Sequence, residues 1–493
     1  MAGAAAVRMI SVSLLTAAFA CGVSQTPTTP RVDTSKIPMT TSSELARDAF
    51  LKGRWLFDNL RVTDAHEYFL KAVEADPQFA LAHLRVANTA ATNQEFFEAL
   101  RRAIEHSGNA SGGERLLIGA FEAAVAGDPE TQQAKLEALV ALFPNDERAH
   151  NAIGNFFFFN QQDYERAISS FKAAIEVNPE FAQPYNQLGY ALRYIGDFEG
   201  AEKAFQRYAE LIPDQPNPYD SYAELLMRMG RFEESIERYK KALAIEPTFI
   251  ASYIGIGNDQ IFMGLFEDAR STFTGIEDIA RNDAERRQAC TWRAASYLHE
   301  GDFENALIEI DRRYDIAAET DDRTAMSADL NTTANILLFS GRIDEAAETY
   351  DLQLEMMQSS DAIDEIKEGT VRNRKWDLAR VALAEFDLAT ASELASEYRQ
   401  QVAEHNIRFE VQRTHELEGM IALAEGNFAE ALEQFEQANQ QNPQVWLLKA
   451  RAYAATGDSV NGRSACEHVV HFNQINFNLA YVRKTARGLL ETF

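Results

Sequence analysis

The chain has 493 residues, of which 46% are hydrophobic and 25% charged, a balance typical of a folded protein and not of a disordered one. Its formal net charge is −28, which repels nucleic-acid phosphates and anionic membrane surfaces alike. We therefore expect no nucleic-acid partner, and the acidic residues, spread along the chain, indicate a solvated surface.

The first twenty residues have the pattern of a secretory signal peptide. One positive charge, Arg8, precedes an apolar run from Met9 to Ala20 that is too short to span a membrane. Cys21 follows directly, and the preceding LLTAAFA resembles the lipobox of bacterial lipoproteins, in which the cysteine after the cut is acylated. Ala18 stands where that motif usually has leucine, so cleavage of AFA as an A-x-A site without lipidation is the alternative. The resemblance implies lipidation of Cys21.

The segment after the cysteine is rich in Thr, Ser and Pro and lacks apolar periodicity, which predicts a flexible tether. In lipoproteins an aspartate after the cysteine commonly signals retention in the inner membrane, and Gly22 stands there instead. The resemblance therefore implies an outer-membrane location, lipid-anchored and facing the periplasm. The alternative is a secreted or soluble periplasmic protein.

From about residue 44 a period of 34 residues organises the chain. Each unit predicts two amphipathic helices joined by a tight Gly-Asp-Phe or Gly-Arg-Phe turn. A small residue lets the helices approach, an aromatic fills the space between them, and a proline ends the second helix. Two consecutive copies carry this skeleton at Gly189, Gly196, Phe205 and Pro213, and at Ala223, Gly230, Tyr239 and Pro247.

This unit resembles the tetratricopeptide repeat. The resemblance implies an all-α fold, a right-handed superhelical solenoid of about twelve helical hairpins. "TSSE" at 41–44 predicts a capping box that opens the first helix. We divide the chain into a signal peptide (1–20), a lipidated cysteine and flexible tether (21–43), an N-terminal repeat with degenerate hairpins (44–145), a well-matched array (146–280), looser repeats (281–360), a degenerate repeat (361–405), C-terminal repeats (406–460), and a final helix and capping helix (461–493).

Four consecutive phenylalanines, Phe156 to Phe159, fall in the first helix of one repeat, and no regular helix can turn all four rings to one core. Alignment on Gly154 predicts Phe157 inside the hairpin and Phe156 against a neighbouring repeat. Phe158 and Phe159 then fall on the edge that lines the concave groove in this family, unless Phe158 lies under the adjoining helix. One extra residue before DYE makes this repeat 35 residues long and predicts a distorted turn.

The same alignment predicts a contiguous band of partner-binding residues along the groove. Asparagine amides can donate to and accept from an extended peptide backbone at once, although asparagine is also tolerated on exposed helix faces. The lysine-rich carboxylate clamp of chaperone-binding family members is absent at these positions. The predicted band comprises Asn151, Asn155, Phe158, Phe159, Asn186, Tyr190, Arg193, Tyr194, Met227, Arg228, Asn258 and Phe262.

Catalytic signatures are missing from the sequence: it has no H-E-x-x-H, C-x-x-C, G-x-S-x-G or P-loop motif. His468 and His471 stand three apart on a predicted helix, but Cys466 points elsewhere, so we expect no metal and no cofactor. Cys466 and Cys290 lie about four hairpins apart, which predicts two buried, unbridged thiols.

We therefore expect a non-catalytic scaffold or adaptor that binds proteins or extended peptide segments and contacts the membrane through its lipid only. One alternative is a regulatory or sensory subunit that recruits or inhibits one envelope enzyme. Another is an enzyme with a site in the poorly matched segments 80–145 or 361–405.

Overall fold

The computed structural model describes residues 35–59, 61–90, 93–405 and 407–493. The predicted signal peptide, Cys21 and the tether up to residue 34 lie outside these ranges. The described residues contain no strand. They form the following α-helices: α1 (Glu44–Asp58), α2 (Val62–Ala75), α3 (Ala80–Thr89), α4 (Asn93–His106), α5 (Gly112–Val125), α6 (Pro129–Leu142), α7 (Glu147–Asn155), α8 (Tyr164–Val177), α9 (Gln183–Tyr194), α10 (Phe198–Leu211), α11 (Asn217–Arg228), α12 (Phe232–Ile245), α13 (Ile250–Phe262), α14 (Phe266–Ile279), α15 (Asp283–Glu300), α16 (Phe303–Ala318), α17 (Arg323–Ser340), α18 (Ile343–Gln358), α19 (Asp364–Ala384), α20 (Leu388–His405), α21 (Arg408–Glu425), α22 (Phe428–Gln437), α23 (Pro443–Thr456), α24 (Ser459–Val470) and α25 (Phe477–Leu490).

Consecutive helices pack as hairpins, from α1 with α2 to α23 with α24, and α25 follows the last of them. The first helices of neighbouring hairpins also touch, as α11 touches α13 and α19 touches α21. The described part of the chain thus holds twelve hairpins and one closing helix, and the predicted all-α solenoid is confirmed. The poorly matched segments 80–145 and 361–405 form hairpins as well, α3 to α6 and α19 with α20.

The hairpins pack as the repeat skeleton requires. Phe205 on α10 is fully buried, and a Cβ added to Gly189 on α9 would lie 2.7 Å from its ring. Gly196 ends α9 with a φ of 83°, a conformation that favours glycine. Asp197 then opens α10, because its side chain accepts a 2.8 Å hydrogen bond from the Gly200 amide.

Residues 35–43 are not a free tether, so that prediction is wrong for its last part. The Ile37 amide donates to Asp146 Oδ2 at 2.7 Å, and the Thr40 amide donates to Glu114 Oε1 at 2.8 Å. Both carboxylates also cap helices, α7 and α5, which fixes them as acceptors. The predicted capping box is wrong too: Ser43 caps α1, while the Thr41 hydroxyl donates to an aspartate after α2.

The C-terminal segment, residues 471–490, folds back onto the middle of the solenoid. Asn473 Nδ2 donates to the backbone oxygen of Arg228 at 3.4 Å, and the Arg228 guanidinium lies 4.7 Å from the centre of the Phe472 ring. Helix α25 then packs against α15 and α23. This segment therefore covers part of the inner, first-helix surface. Within the described ranges no helix is both long and apolar enough to cross a membrane.

Candidate functional site

A cavity of about 510 Å³ opens among the first helices of the N-terminal hairpins, α1, α3, α5 and α7. We call it the N-terminal cavity. Its wall is apolar at Leu84 and Phe121 and carries guanidinium and amide groups beside them. Of the predicted band, Asn151, Asn155 and Phe159 line it. It is therefore the part of the concave surface in which the predicted groove residues come together.

The phenylalanine run forms a π-helix, Phe156–Gln161, at the end of α7. A π-turn absorbs one additional residue in a helix, which explains how a 35-residue repeat keeps its register with its neighbours. Gln162 then takes a left-handed conformation with a φ of 51° before α8 begins. The predicted distortion of this turn is therefore present, and it also includes the end of the first helix, which continues as the π-helix.

The π-helix changes which phenylalanine faces the groove. Phe159 is 62% exposed at the cavity, whereas Phe158 is 8% exposed and its ring packs against those of Tyr164 and Tyr194, each at 5.6 Å between centroids. Phe156, placed by the alignment against a neighbouring repeat, lines the cavity beside Phe159. The placement of Phe158 on the groove is therefore wrong, because a regular helical phase was carried through a π-helix.

Asparagine side chains of the first helices leave their carbonyl oxygens unused. Within the described residues the buried Oδ1 atoms of Asn151, Asn155, Asn186 and Asn258 have no hydrogen-bond partner, and neither has that of Asn88 on α3. The Asn151 amide group donates to Gln183 Oε1 at 3.1 Å, which turns its oxygen away from that neighbour. A series of buried, unpaired acceptors therefore follows the inner surface, and Asn88 extends it into a segment that the sequence alignment did not reach.

Two guanidinium groups in the N-terminal cavity lack carboxylate partners. Asp58 is held by Arg148 at 3.0 Å, so Arg54 and Arg85 find no carboxylate oxygen within 4 Å among the described residues. Burial, reinforced by the Arg148 charge, lowers the pKa of Arg54 to about 10, and burial lowers the pKa of Arg85 as well. The cavity is thus locally electropositive in an acidic protein. Neither arginine was predicted: Arg54 lies in a repeat interpreted only at its small and aromatic positions, and Arg85 lies on α3, in the poorly matched segment 80–145.

The predicted groove residues of the next repeat bridge to α11 instead of standing free. The Tyr190 hydroxyl donates to Ser221 Oγ at 3.2 Å, and Arg193 Nη1 lies 3.3 Å from Glu224 Oε2. Tyr194 stacks on Tyr164 with 4.7 Å between ring centroids. These side chains hold neighbouring hairpins together.

The last part of the predicted band is covered by the chain itself. Met227 is buried, Arg228 lies on Phe472, and Phe262 joins the cluster formed by α25 and the helices beside it. The guanidinium of Arg483 on α25 lies 4.7 Å from the centre of the Phe262 ring. The prediction of one contiguous open band is therefore wrong, because residues 471–490 cover its last part.

Both cysteines that the structure describes, Cys290 and Cys466, are buried and unbridged. His468 stacks on the Trp446 ring at 4.0 Å, and burial, with Arg228 and Lys449 nearby, lowers its pKa to about 4. In the described ranges no group of three or more His, Cys, Asp or Glu side chains is arranged to hold a metal.

Family models described as "Tetratricopeptide repeat" match residues 158–216, 217–249 and 422–469. No curated protein matches the chain. Among solved structures, MamA from Desulfovibrio magneticus RS-1 is 18% identical, covering 34% of this chain and 96% of its own, with a TM-score of 0.30. YrrB, described as a TPR protein with an unusual peptide-binding site, is 15% identical, with coverages of 37% and 91% and a TM-score of 0.27. A tetratricopeptide repeat protein from Parabacteroides merdae ATCC 43184 is 14% identical, with coverages of 53% and 98% and a TM-score of 0.38.

Proposed function

Because the chain is a tetratricopeptide repeat protein, we propose that it is a non-catalytic scaffold that binds an extended segment of a partner protein in the N-terminal cavity. The observation that carries this proposal is the exposed Phe159 ring beside the open amide oxygens of Asn151 and Asn155. Fold alone does not define function in this family of scaffolds, so the function is proposed from this site.

Phe159 offers apolar area that a partner can cover. A phenylalanine has roughly 150–250 Å² of surface to bury, so the exposed 62% of this side chain leaves on the order of 100 Å². At about 25 cal/mol per Å² its burial contributes about 2.5 kcal/mol before the costs of association are subtracted. One such anchor in a pocket is the usual centre of a protein-binding hot spot.

The asparagines offer the complementary polar contacts. A side-chain amide can accept a backbone N–H through Oδ1 and donate to a backbone carbonyl through Nδ2. Asn88, Asn151 and Asn155 come from α3 and α7 and line one cavity, which suits a single extended strand of polypeptide.

The cations define the partner further. Arg54 and Arg85 have no carboxylate partner among the described residues, and a carboxylate of the bound segment would supply one. We therefore expect the segment to carry at least one Asp or Glu beside an apolar residue that covers Phe159.

Site-specific photo-crosslinking in intact cells tests the site. A photoreactive phenylalanine at position 159 is compared with one at Leu352, which is also half-exposed but lies on the second helix of its hairpin. We expect a discrete crosslinked protein at 159 that is lost in an Arg85→Gln background and is absent at 352. Identical products at both positions, or products at 159 that are indifferent to Arg85→Gln, would exclude the N-terminal cavity.

We further propose that the protein is anchored by lipid on Cys21 and faces the periplasm from the outer membrane of a bacterial envelope. This proposal stands on the sequence pattern of residues 1–22 alone. In fractionated cells, Cys21→Ala should move the protein from the membrane to the soluble fraction, whereas Ser24→Ala should not. Retention of the Cys21→Ala protein in the membrane fraction would refute the anchor.

A further inference from the structure

A second cavity, of about 570 Å³, lies at the other end of the inner surface, among α17, α19, α21 and α25. We call it the C-terminal cavity. It shares no lining residue with the N-terminal cavity, and Tyr481 of the folded-back α25 forms one of its walls. Its size is that of a small-ligand site, and its wall is mostly polar.

An indole N–H in this wall has nothing to bind. Trp376 on α19 is 7% exposed, and its Nε1 has no hydrogen-bond partner among the described residues. The guanidinium carbons of Arg380 and Arg413 lie 4.3 and 4.5 Å from the ring centre, which fixes the indole between charged neighbours. A buried donor left open in this way requires an explanation, and a bound acceptor is one.

One amide beside the indole, that of Asn373, is oriented as a donor too. Asn335 Oδ1 accepts from Arg380 Nη1 at 2.8 Å, and Asn373 Oδ1 accepts from Arg413 Nη1 at 3.1 Å. Because protein donors already use these oxygens, the NH₂ group of Asn373 is the part of that amide left for a ligand. The Tyr481 hydroxyl is likewise without a partner in the described structure.

Of the two guanidinium groups and two carboxylates in the cavity wall, only Arg380 and Asp377 form an ion pair among the described residues. Asp377 lies 3.7 Å from Arg380, and Glu416 accepts a 3.1 Å hydrogen bond from Asn442. Arg413 has no carboxylate oxygen within 4 Å among the described residues and contacts Asn373, Trp376 and the half-exposed ring of Phe409. The wall therefore carries two guanidinium groups and two carboxylates, and its surplus is in unpaired hydrogen-bond donors.

We propose that the C-terminal cavity is a second binding site, separate from the N-terminal cavity, and that it binds a carboxylate. The Trp376 indole N–H, the Arg413 guanidinium and the Asn373 amide group donate to its oxygens. A small organic acid and the carboxyl end of a peptide present the same chemistry, so the test has one arm for each.

The test measures binding to the intact protein by isothermal titration, with four probes at up to millimolar concentration. Succinate and its diamide are the small-molecule arm. A pentapeptide of glycine and alanine, with a free or an amidated C-terminus, is the peptide arm. We expect either succinate or the free-acid peptide to bind while its amide does not. The compound that binds shows whether the ligand is a small organic acid or the carboxyl end of a peptide.

Two variants tie the binding to this site. Trp376→Phe removes the open N–H together with the five-membered ring, and loss of one hydrogen bond to a charged group should weaken binding about tenfold. Trp446→Phe is the matched control, because the Trp446 indole already donates to the Gln440 backbone oxygen at 2.8 Å. Arg413→Gln should weaken binding further.

Three results would overturn the proposal: equal binding of the amides, unchanged affinity in Trp376→Phe, or no binding by either carboxylate. Circular dichroism of each variant separates these outcomes from misfolding. Crosslinking at Phe159 is independent of them, so failure here leaves the proposal for the N-terminal cavity standing.

Discussion

Replacement of Gly189 by alanine tests the close helix approach on which each repeat depends. The new Cβ would lie 2.7 Å from two ring atoms of Phe205, a distance that real Cβ atoms essentially never show. The ring is fully buried, so it cannot move aside without displacing its neighbours. Overpacking of this kind costs about 1–3 kcal/mol, and the better helix propensity of alanine returns about 0.5–1 kcal/mol. We expect the free energy of unfolding to fall by about 1–2 kcal/mol.

Gly275→Ala is the matched control, because Gly275 lies inside α14 with no atom within 4 Å of its added Cβ. That variant should gain about 0.5–1 kcal/mol from propensity alone. The assay is urea unfolding followed by far-UV circular dichroism. In a double variant, Phe205→Leu should reduce the penalty of Gly189→Ala. Equal stabilisation by the two glycine replacements would show that the α9–α10 approach does not depend on Gly189.

Two further predictions concern stability. Phe386 is 89% exposed with a φ of 62°, at a turn where other hairpins use glycine, so Phe386→Gly should stabilise the fold by about 1 kcal/mol in the same urea assay, and a loss would contradict this. Burial, followed by the charge of Glu224, raises the pKa of Asp220 from 3.8 to about 8, although its carboxyl accepts a 2.7 Å hydrogen bond from Ser252. The native state therefore binds more protons than the unfolded state between about pH 4 and 8, and the stability that Asp220 contributes is lost as the pH rises through this window. Relative to the wild type, the free energy of unfolding of Asp220→Asn should therefore rise between pH 4 and 8. Parallel pH profiles of the two proteins would refute the raised pKa.

The hairpins could be predicted from the sequence because each depends on local patterns. The pair of Gly189 and Phe205 lies within one repeat, and its period is visible in the chain. Even the segment 361–405, where small and aromatic positions are unclear, keeps enough apolar spacing to form α19 and α20. Local patterning therefore predicts the array well.

The candidate sites could be predicted only in part. The extra residue before DYE indicated a distortion, but not that it would be a π-helix that turns Phe158 inward and leaves Phe159 outside. The cover over Arg228 and Phe262 comes from the far end of the chain, and no period reports such a contact. The unpaired N–H of Trp376 likewise could not be predicted, because its surroundings come from α19, α21 and α25 together.

The folded-back C-terminal segment changes how the array should respond to stress. In a simple solenoid each repeat touches only its neighbours, so stability is nearly a sum along one dimension and unfolding can begin at either end. Here Asn473 forms a hydrogen bond with Arg228, 245 residues away, so that the segment after α24 contacts the middle of the array and closes a long loop. Closing so long a loop is entropically costly and slow, and it must await the synthesis of residues 471–490. We therefore expect the central repeats to become fully cooperative only when residues 471–490 have docked.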